Sequence, residues 1–274
     1  METAAAPESD LHLQGHAIIL GASSGFGEAA SLELARRGMD IIGVHLDRRA
    51  TMPNVERITA AIRALGRKAL FFNVNAADEG KRKEVLDAVE RETEGQPAPR
   101  VRVLMHSLAF GTLRPFITDP AEGAITKIQM DMTLDVMAHS LVYWTQDLVA
   151  RGLLGEHGRV FAMTSAGGRR MMPSYGAVSA AKAALESHVR QLAFELAPRR
   201  ITANAICAGV TDTPALRKIP GADRIVEIAL ARNPSKRLTT TGDVATAIAA
   251  LSHPAMDWVT GNVINADGGE EIAG

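Results

Sequence analysis

Short apolar runs alternate with longer stretches in which apolar residues recur at helical spacing, and this rhythm continues along almost the whole chain. Residues 17–20, 40–46, 69–74, 101–106, 159–164, 202–206 and 262–265 are brief apolar runs and predict strands. Residues 25–37, 52–65, 81–92, 125–151, 175–196 and 241–251 carry the helical period and predict helices. Strand followed by helix followed by strand, repeated this often, predicts a parallel sheet with helices on both faces. The expected class is α/β, a doubly wound parallel sheet of about seven strands in a single domain over residues 13–274, after a flexible N-terminal tail at 1–12. Residues 213–237 interrupt the rhythm with Pro214, Gly221 and Pro234, and predict a helical insertion that covers a site. Residues 94–100, with two prolines, predict a surface loop.

Composition narrows the function classes. With 274 residues, 46% of them hydrophobic, the chain can bury one substantial core. Thirty basic residues against 31 acidic ones leave a net charge of −1, which gives no electrostatic footprint for nucleic acid or an anionic membrane. Cys207 is the lone cysteine, so no internal disulfide can form, and no Cys/His cluster predicts a metal. Residues 1–10 are acidic and alanine-rich, without the basic flank or apolar run of a signal segment, and no stretch approaches the ~20 apolar residues of a membrane helix. The expectation is a soluble, cytoplasmic protein.

Immediately after the first predicted strand comes Gly21-Ala22-Ser23-Ser24-Gly25-Phe26-Gly27, which opens directly into a helix. Glycines there let the backbone turn tightly and approach a pyrophosphate, whose charge then sits on the helix N-terminus. Strand, glycine turn and helix together predict a Rossmann-type dinucleotide site. The second strand should end near the adenine ribose, and the chain there reads His45-Leu46-Asp47-Arg48-Arg49. An acid binds a ribose 2′-hydroxyl and repels a 2′-phosphate, whereas an arginine does the reverse. Both are present, and we read NADPH ahead of NADH, with Arg48 as the phosphate partner and Asp47 beside it. Asn73 ends the third strand, where its amide meets the adenine or only completes a turn.

These residues, with Tyr175, Lys182, Ala208-Gly209 and the closing Asp267-Gly268-Gly269, resemble the short-chain dehydrogenase/reductase family over about residues 13–270. Two features resemble its enoyl-acyl-carrier-protein reductases more than its ketoreductases. Tyr175 precedes Lys182 by seven residues, and Val178 occupies the position four before the lysine where carbonyl reductases keep their tyrosine. After the fourth strand the chain reads His106-Ser107-Leu108-Ala109-Phe110-Gly111, where ketoreductases usually carry an asparagine pair, alanine and glycine. Leu20 before the first glycine, and Ser165 where common enoyl reductases have a second tyrosine, depart from that branch. The resemblance implies a divergent enoyl reductase with Tyr175, Lys182 and Ser165 as catalytic residues. It implies a nucleotide held by Gly21, Ser23, Ser24, Gly25, Phe26, Gly27, Asp47, Arg48, Asn73, Val74, Ser107, Ala109, Lys182, Gly209, Thr211 and Thr213. It further implies an acyl thioester substrate, on acyl carrier protein or coenzyme A, and a homotetramer.

The shifted tyrosine has a chemical rationale. Three helical residues are about 4.5 Å of rise and nearly one turn, so Tyr175 and Val178 face roughly the same way. In carbonyl reduction, hydride and proton acceptors are adjacent atoms. In enoyl thioester reduction hydride reaches the β-carbon while charge develops on an oxygen further along the conjugated system, which calls for a donor set further away. Tyr175 would stabilise that enolate, and Lys182 would hold the ribose hydroxyls and lower the tyrosine pKa. Ser165 reads equally as a turn residue or a substrate hydrogen bond. His106 and Cys207 read as buried structural residues, and Met171 and Met172 as acyl-channel or core residues. Asp131, Asp135 and His139 share a helical face, which predicts surface pairing or an oligomer contact before a metal. Two further functions compete: reduction of a 3-ketoacyl or other conjugated carbonyl, and a non-catalytic nucleotide-binding sensor.

Overall fold

Seven strands form one parallel sheet: β1 (His16–Leu20), β2 (Asp40–His45), β3 (Ala69–Asn73), β4 (Val101–His106), β5 (Leu154–Ser165), β6 (Thr202–Ala208) and β7 (Val263–Ala266). Their order is β3-β2-β1-β4-β5-β6-β7, with every neighbouring pair parallel. This computed structural model describes residues 11–273; residues 1–10, most of the predicted tail, lie outside the described residues, as does Gly274. All five residues of β1 are buried, because parallel strands joined through helices have both faces covered.

Alternation along the strands divides the core into two. Ile18 and Leu20 point to a cluster that includes Leu86 and Val89 of α3 (Glu79–Glu92), Trp144 of α5 (Ser140–Ala150), and Leu185 and Val189 of α6 (Gly176–Leu196). Ala17 and Ile19 point to the other cluster, with Leu34 of α1 (Gly25–Arg36), Ile58 of α2 (Met52–Ala64) and Ile248 of α8 (Thr241–Leu251). The period of two in the strands thus separates the two helical layers.

Three elements differ from the sequence pattern. The helix predicted at 125–151 is α4 (Lys127–Leu134), a single π turn at Asp135–His139, and then α5. There the Ser140 hydroxyl donates to the Val136 carbonyl at 2.8 Å, satisfying a group that the wider turn changes. Strand β5 starts at Leu154 instead of 159, with an irregular register against β4 between Val101 and Val103. After Leu154 its residues up to 158 are polar or glycine, so no apolar run announces them. Residues 213–237 contain a short 3₁₀ turn, Leu216–Lys218, and α7 (Ala222–Arg232), a helix in which only Ala229 is buried. None of the helices among the described residues is long and apolar enough to cross a membrane.

Candidate active site

The predicted site residues gather at the carboxyl ends of β1 to β6, on one edge of the sheet, the place where open α/β sheets leave a crevice. At the end of β1, the Gly21 and Ala22 amides donate to Val44 O at 2.8 and 3.1 Å. Gly21 has φ +91°, and a Cβ there would lie 2.5 Å from the Ser107 carbonyl oxygen. Only glycine takes that conformation with that neighbour, so the turn and the end of β4 are fitted to each other. Ser107 N completes the junction by donating to Leu20 O at 2.8 Å. Ser24 caps α1 in extended conformation without a side-chain hydrogen bond to the helix, which leaves its first-turn amides to an external acceptor. Gly25, Phe26 and Gly27 form that turn, and Thr213 from the insertion lies against Gly25. A helix N-terminus without a side-chain cap, opening from a glycine turn, fits a dinucleotide pyrophosphate.

The ribose end is built from the residues after β2 and β3. Asn73 Oδ1 accepts from Asp47 N at 2.9 Å, and its Nδ2 donates to Asp47 O at 3.0 Å. That amide therefore orders the loop after β2, a use the sequence pattern did not distinguish from adenine contact. Asp47 Oδ2 lies 3.0 Å from His45 Nδ1. Burial pushes the Asp47 carboxyl up, but hydrogen bonds from Thr51, Ser23 and His45 outweigh it and hold the carboxyl below its ordinary value. Arg48 is exposed beside it. Val74 N donates to His45 O at 2.8 Å, tying β3 to this corner. Asn54, which sequence reasoning missed, donates to Ser23 O at 2.7 Å. Its separation of 31 residues left no local signal.

The reactive end lies between β5 and α6. Tyr175 is the N-cap of α6 and is 8% exposed, close against Gly167, where a Cβ would sit 2.6 Å from the ring. Burial pushes its hydroxyl pKa up, and a hydrogen bond with Ser165 opposes that shift only in part. The phenol is therefore a proton-bearing donor at neutral pH. This corrects the expectation that Lys182 lowers it: Lys182 Nζ donates instead to Met163 O at 2.6 Å. Burial pulls the lysine itself down to about 8. Tyr175 and Val178 share one apolar cluster with Met137, Leu113, Met172 and Ile219. Val178 faces the loop after β4, its Cγ2 lying 2.7 Å from where a Cβ on Gly111 would stand. A tyrosine at 178 would have no room on that side.

Met172 packs beside Tyr175, whereas Met171 is 77% exposed. His106 is fully buried, and its pKa is pushed down to about 3 by burial, with the Lys182 charge adding to it. The Ser140 hydroxyl hydrogen goes to Val136 O, so His106 Nε2–H donates to Ser140 Oγ at 2.9 Å. Cys207 is buried, its thiol pushed up to about 11 by burial, with Arg169 Nη2 3.7 Å from the sulfur. Asp131 pairs with Lys127, and His139 Nδ1 lies 3.0 Å from His188 Nε2. Gly209 follows β6, Thr211 Oγ1 donates to Gly209 O at 3.0 Å, and Thr213 is buried. Val210 N donates to the Glu270 carboxylate at 3.1 Å, a contact absent from the sequence reading. Ala109 lies in the loop after β4.

Comparison with known proteins bears on this geometry. Residues 21–271 match the family model described as "Enoyl-(Acyl carrier protein) reductase". A 3-oxoacyl-[acyl-carrier-protein] reductase of Aggregatibacter actinomycetemcomitans is 30% identical, covering 92% of this chain and 97% of its own. An NADH enoyl-[acyl-carrier-protein] reductase of a Nostoc species is also 30% identical, over 75% of this chain and 76% of its own. Among solved structures, an NADH enoyl-[acyl-carrier-protein] reductase from Aquifex aeolicus superposes with TM-score 0.82 at 22% identity, covering 97% of this chain and 99% of the other. A short-chain dehydrogenase from Burkholderia cenocepacia in complex with NADP superposes with TM-score 0.79 at 26% identity, over 96% and 100%.

Proposed function

The chain belongs to the short-chain dehydrogenase/reductase family and is an NAD(P)H-dependent oxidoreductase, and from that premise we propose that it reduces the 2,3 double bond of a trans-2-enoyl thioester. One observation carries the proposal: Tyr175 stands at the N-cap of α6, protonated by burial, while valine fills the position of a carbonyl reductase tyrosine and packs toward the Gly111 loop.

When bound, the nicotinamide supplies a hydride. The chain's own residues do the rest. The substrate's β-carbon accepts the hydride pair, the double-bond electrons move toward the thioester oxygen, and Tyr175 Oη–H donates a hydrogen bond to that oxygen. Donors fixed in place where charge develops stabilise such a transition state by about 3–4 kcal/mol. The enolate collapses back to the thioester carbonyl as the α-carbon takes a proton from solvent water, and the saturated thioester leaves. Ser165 orients the phenol, and Lys182 holds the ribose hydroxyls of the nucleotide. Gly21, Ser23, Ser24, Gly25, Phe26 and Gly27 hold the pyrophosphate; Val74, Ser107, Ala109, Gly209, Thr211 and Thr213 flank the remainder. We assign NADPH as the preferred nucleotide, since the Asp47 carboxylate is occupied by Ser23, His45 and Thr51 while Arg48 is exposed beside it. The acyl group is carried on acyl carrier protein or coenzyme A.

A second reading has a specific observation behind it. The Ser165–Tyr175 hydrogen bond is the pair a ketoreductase uses to hold a carbonyl. The deciding experiment follows absorbance of the reduced nicotinamide with NADPH and NADH against a short trans-2-enoyl thioester and a 3-ketoacyl thioester. The expected result is oxidation with the enoyl substrate, reduced about 10²- to 10³-fold in Tyr175→Phe. Oxidation with the ketoacyl substrate alone would overturn the proposal in favour of carbonyl reduction.

A further inference from the structure

Three consecutive residues at the end of β5 each meet a different residue of the α6 region. Met163 O accepts from Lys182 Nζ at 2.6 Å. Thr164 Oγ1 donates to Glu186 Oε1 at 2.7 Å. Ser165 hydrogen-bonds Tyr175. Two of these partners belong to the proposed catalytic set, and the third, Glu186, has no assigned role. It is a carboxylate 8% exposed on the buried face of a helix, one turn beyond a lysine that is 6% exposed. Among the described residues neither side chain belongs to a direct ion pair.

We propose that Glu186 is a positioning residue for the reduction: clamped to β5 by Thr164, its carboxylate keeps Lys182 a cation and keeps the strand end that presents Ser165 in register with α6. An unpaired buried carboxylate is costly, and residues at i and i+4 lie over one another on a helix. Each buried charge thus offsets the burial of the other without contact, which leaves the lysine hydrogens directed at Met163 O and free to be shared with a ligand. Of the titratable groups packed around the lysine, Glu186 supplies the largest negative contribution. His106 from β4 is neutral, and Cys207 from β6 keeps its proton. Arg169 from the loop after β5 is a cation beside that sulfur, and Glu271 acts on the cysteine. Burial pulls Lys182 down while Glu186, ahead of Cys207, pulls it back up.

The inference rests on the reading of Lys182 as a nucleotide-binding cation, and its test does not depend on which thioester is reduced. Lysines labelled with ¹³C at Cε are titrated by NMR, the Lys182 resonance being assigned by its loss in Lys182→Arg. The expected midpoint in the native chain is about 8. In Glu186→Gln it should fall by roughly one pH unit, and in Glu186→Asp, which keeps the charge, it should return most of the way. Binding of the reduced nucleotide, followed by fluorescence, should weaken about fivefold in Glu186→Gln at pH 8 and recover at pH 6.5. A Lys182 midpoint unchanged by Glu186→Gln overturns the proposal even if enoyl reduction is found. If Glu186→Gln does not fold, Thr164→Val carries the test. Removing the clamp frees the carboxylate to turn away from the lysine, so the Lys182 midpoint should fall, and an unchanged midpoint again overturns it.

Discussion

Lys182 illustrates what the role proposed for it costs at a single residue. Its amine is buried with a carbonyl for a partner, and its pKa of about 8 stands below the value of about 10.4 for a free lysine. Below pH 8 the folded chain therefore holds a charge that water would hold better. Lys182→Met should abolish turnover yet raise the unfolding free energy at pH 7 by up to about 3 kcal/mol, measured by chemical denaturation. The sign follows from proton uptake. Between pH 8 and about 10.4 the unfolded chain binds more protons at this site, so native stability rises with pH. The gap to the methionine variant should accordingly close across that window. A variant less stable than the native chain at pH 7 would show that the Met163 bond outweighs the burial. At the opposite end of the crevice, Arg48→Ala should weaken NADPH binding about tenfold and leave NADH unchanged, read by calorimetry of the two nucleotides. Equal losses for both would remove Arg48 from the phosphate role.

Among elements, α8 shows how local chemistry sets a boundary. Thr240 is its N-cap: Thr240 Oγ1 accepts from Asp243 N at 3.1 Å, and Asp243 Oδ2 accepts from Thr240 N at 2.8 Å, the reciprocal pairing of a capping box. The Arg237 guanidinium lies on the same carboxylate at 2.6 and 3.0 Å, and with the Thr240 amide it holds the carboxyl well below the usual range. A carboxyl depressed in the folded state stabilises above its unfolded pKa of about 3.9, and that contribution is lost as pH falls. Asp243→Ala should cost about 1 kcal/mol at pH 7, with the difference shrinking below about pH 4 in thermal melts. Helix α8 packs on α1, the helix that begins at the glycine turn, so the cap also steadies the floor of the nucleotide site. The 127–150 stretch makes a contrasting case. Its apolar spacing is helical throughout, and the π turn within it is visible only through the backbone and the Ser140–Val136 bond.

For the whole molecule, the two apolar layers differ sharply from the insertion at residues 213–237. The sheet and its flanking helices bury residues on both faces, while α7 buries Ala229 alone. Segments with few buried apolar contacts open at low free energy. The insertion nevertheless touches the site at Thr213, beside Gly25, and at Ile219, in the cluster around Tyr175. Amide exchange across 213–237 should be faster than in β1 or β4, and saturating nucleotide should slow it at least tenfold. Exchange that is the same with and without nucleotide would separate the segment from site closure.

The sequence by itself determined the class of fold and the glycine turn, and it singled out the tyrosine–lysine pair proposed for the chemistry. These rest on local physics: a period of two or 3.6 in apolar side chains, a turn that only glycine makes, and a spacing counted along one helix. Even the doubt over Ser165 was legible, because a serine after a strand and before two glycines serves either as turn or as donor. Tertiary structure alone decided which groups share a charge or a hydrogen bond across the sheet. That Asn73 orders Asp47, that Lys182 turns to Met163 O, and that Glu186 is clamped by Thr164 depend on residues 19 to 26 positions apart. The protonation of Tyr175 is of the same kind. Burial sets it, and burial is a property of the packed molecule, since the low dielectric around a side chain comes from neighbours that the chain brings together only on folding.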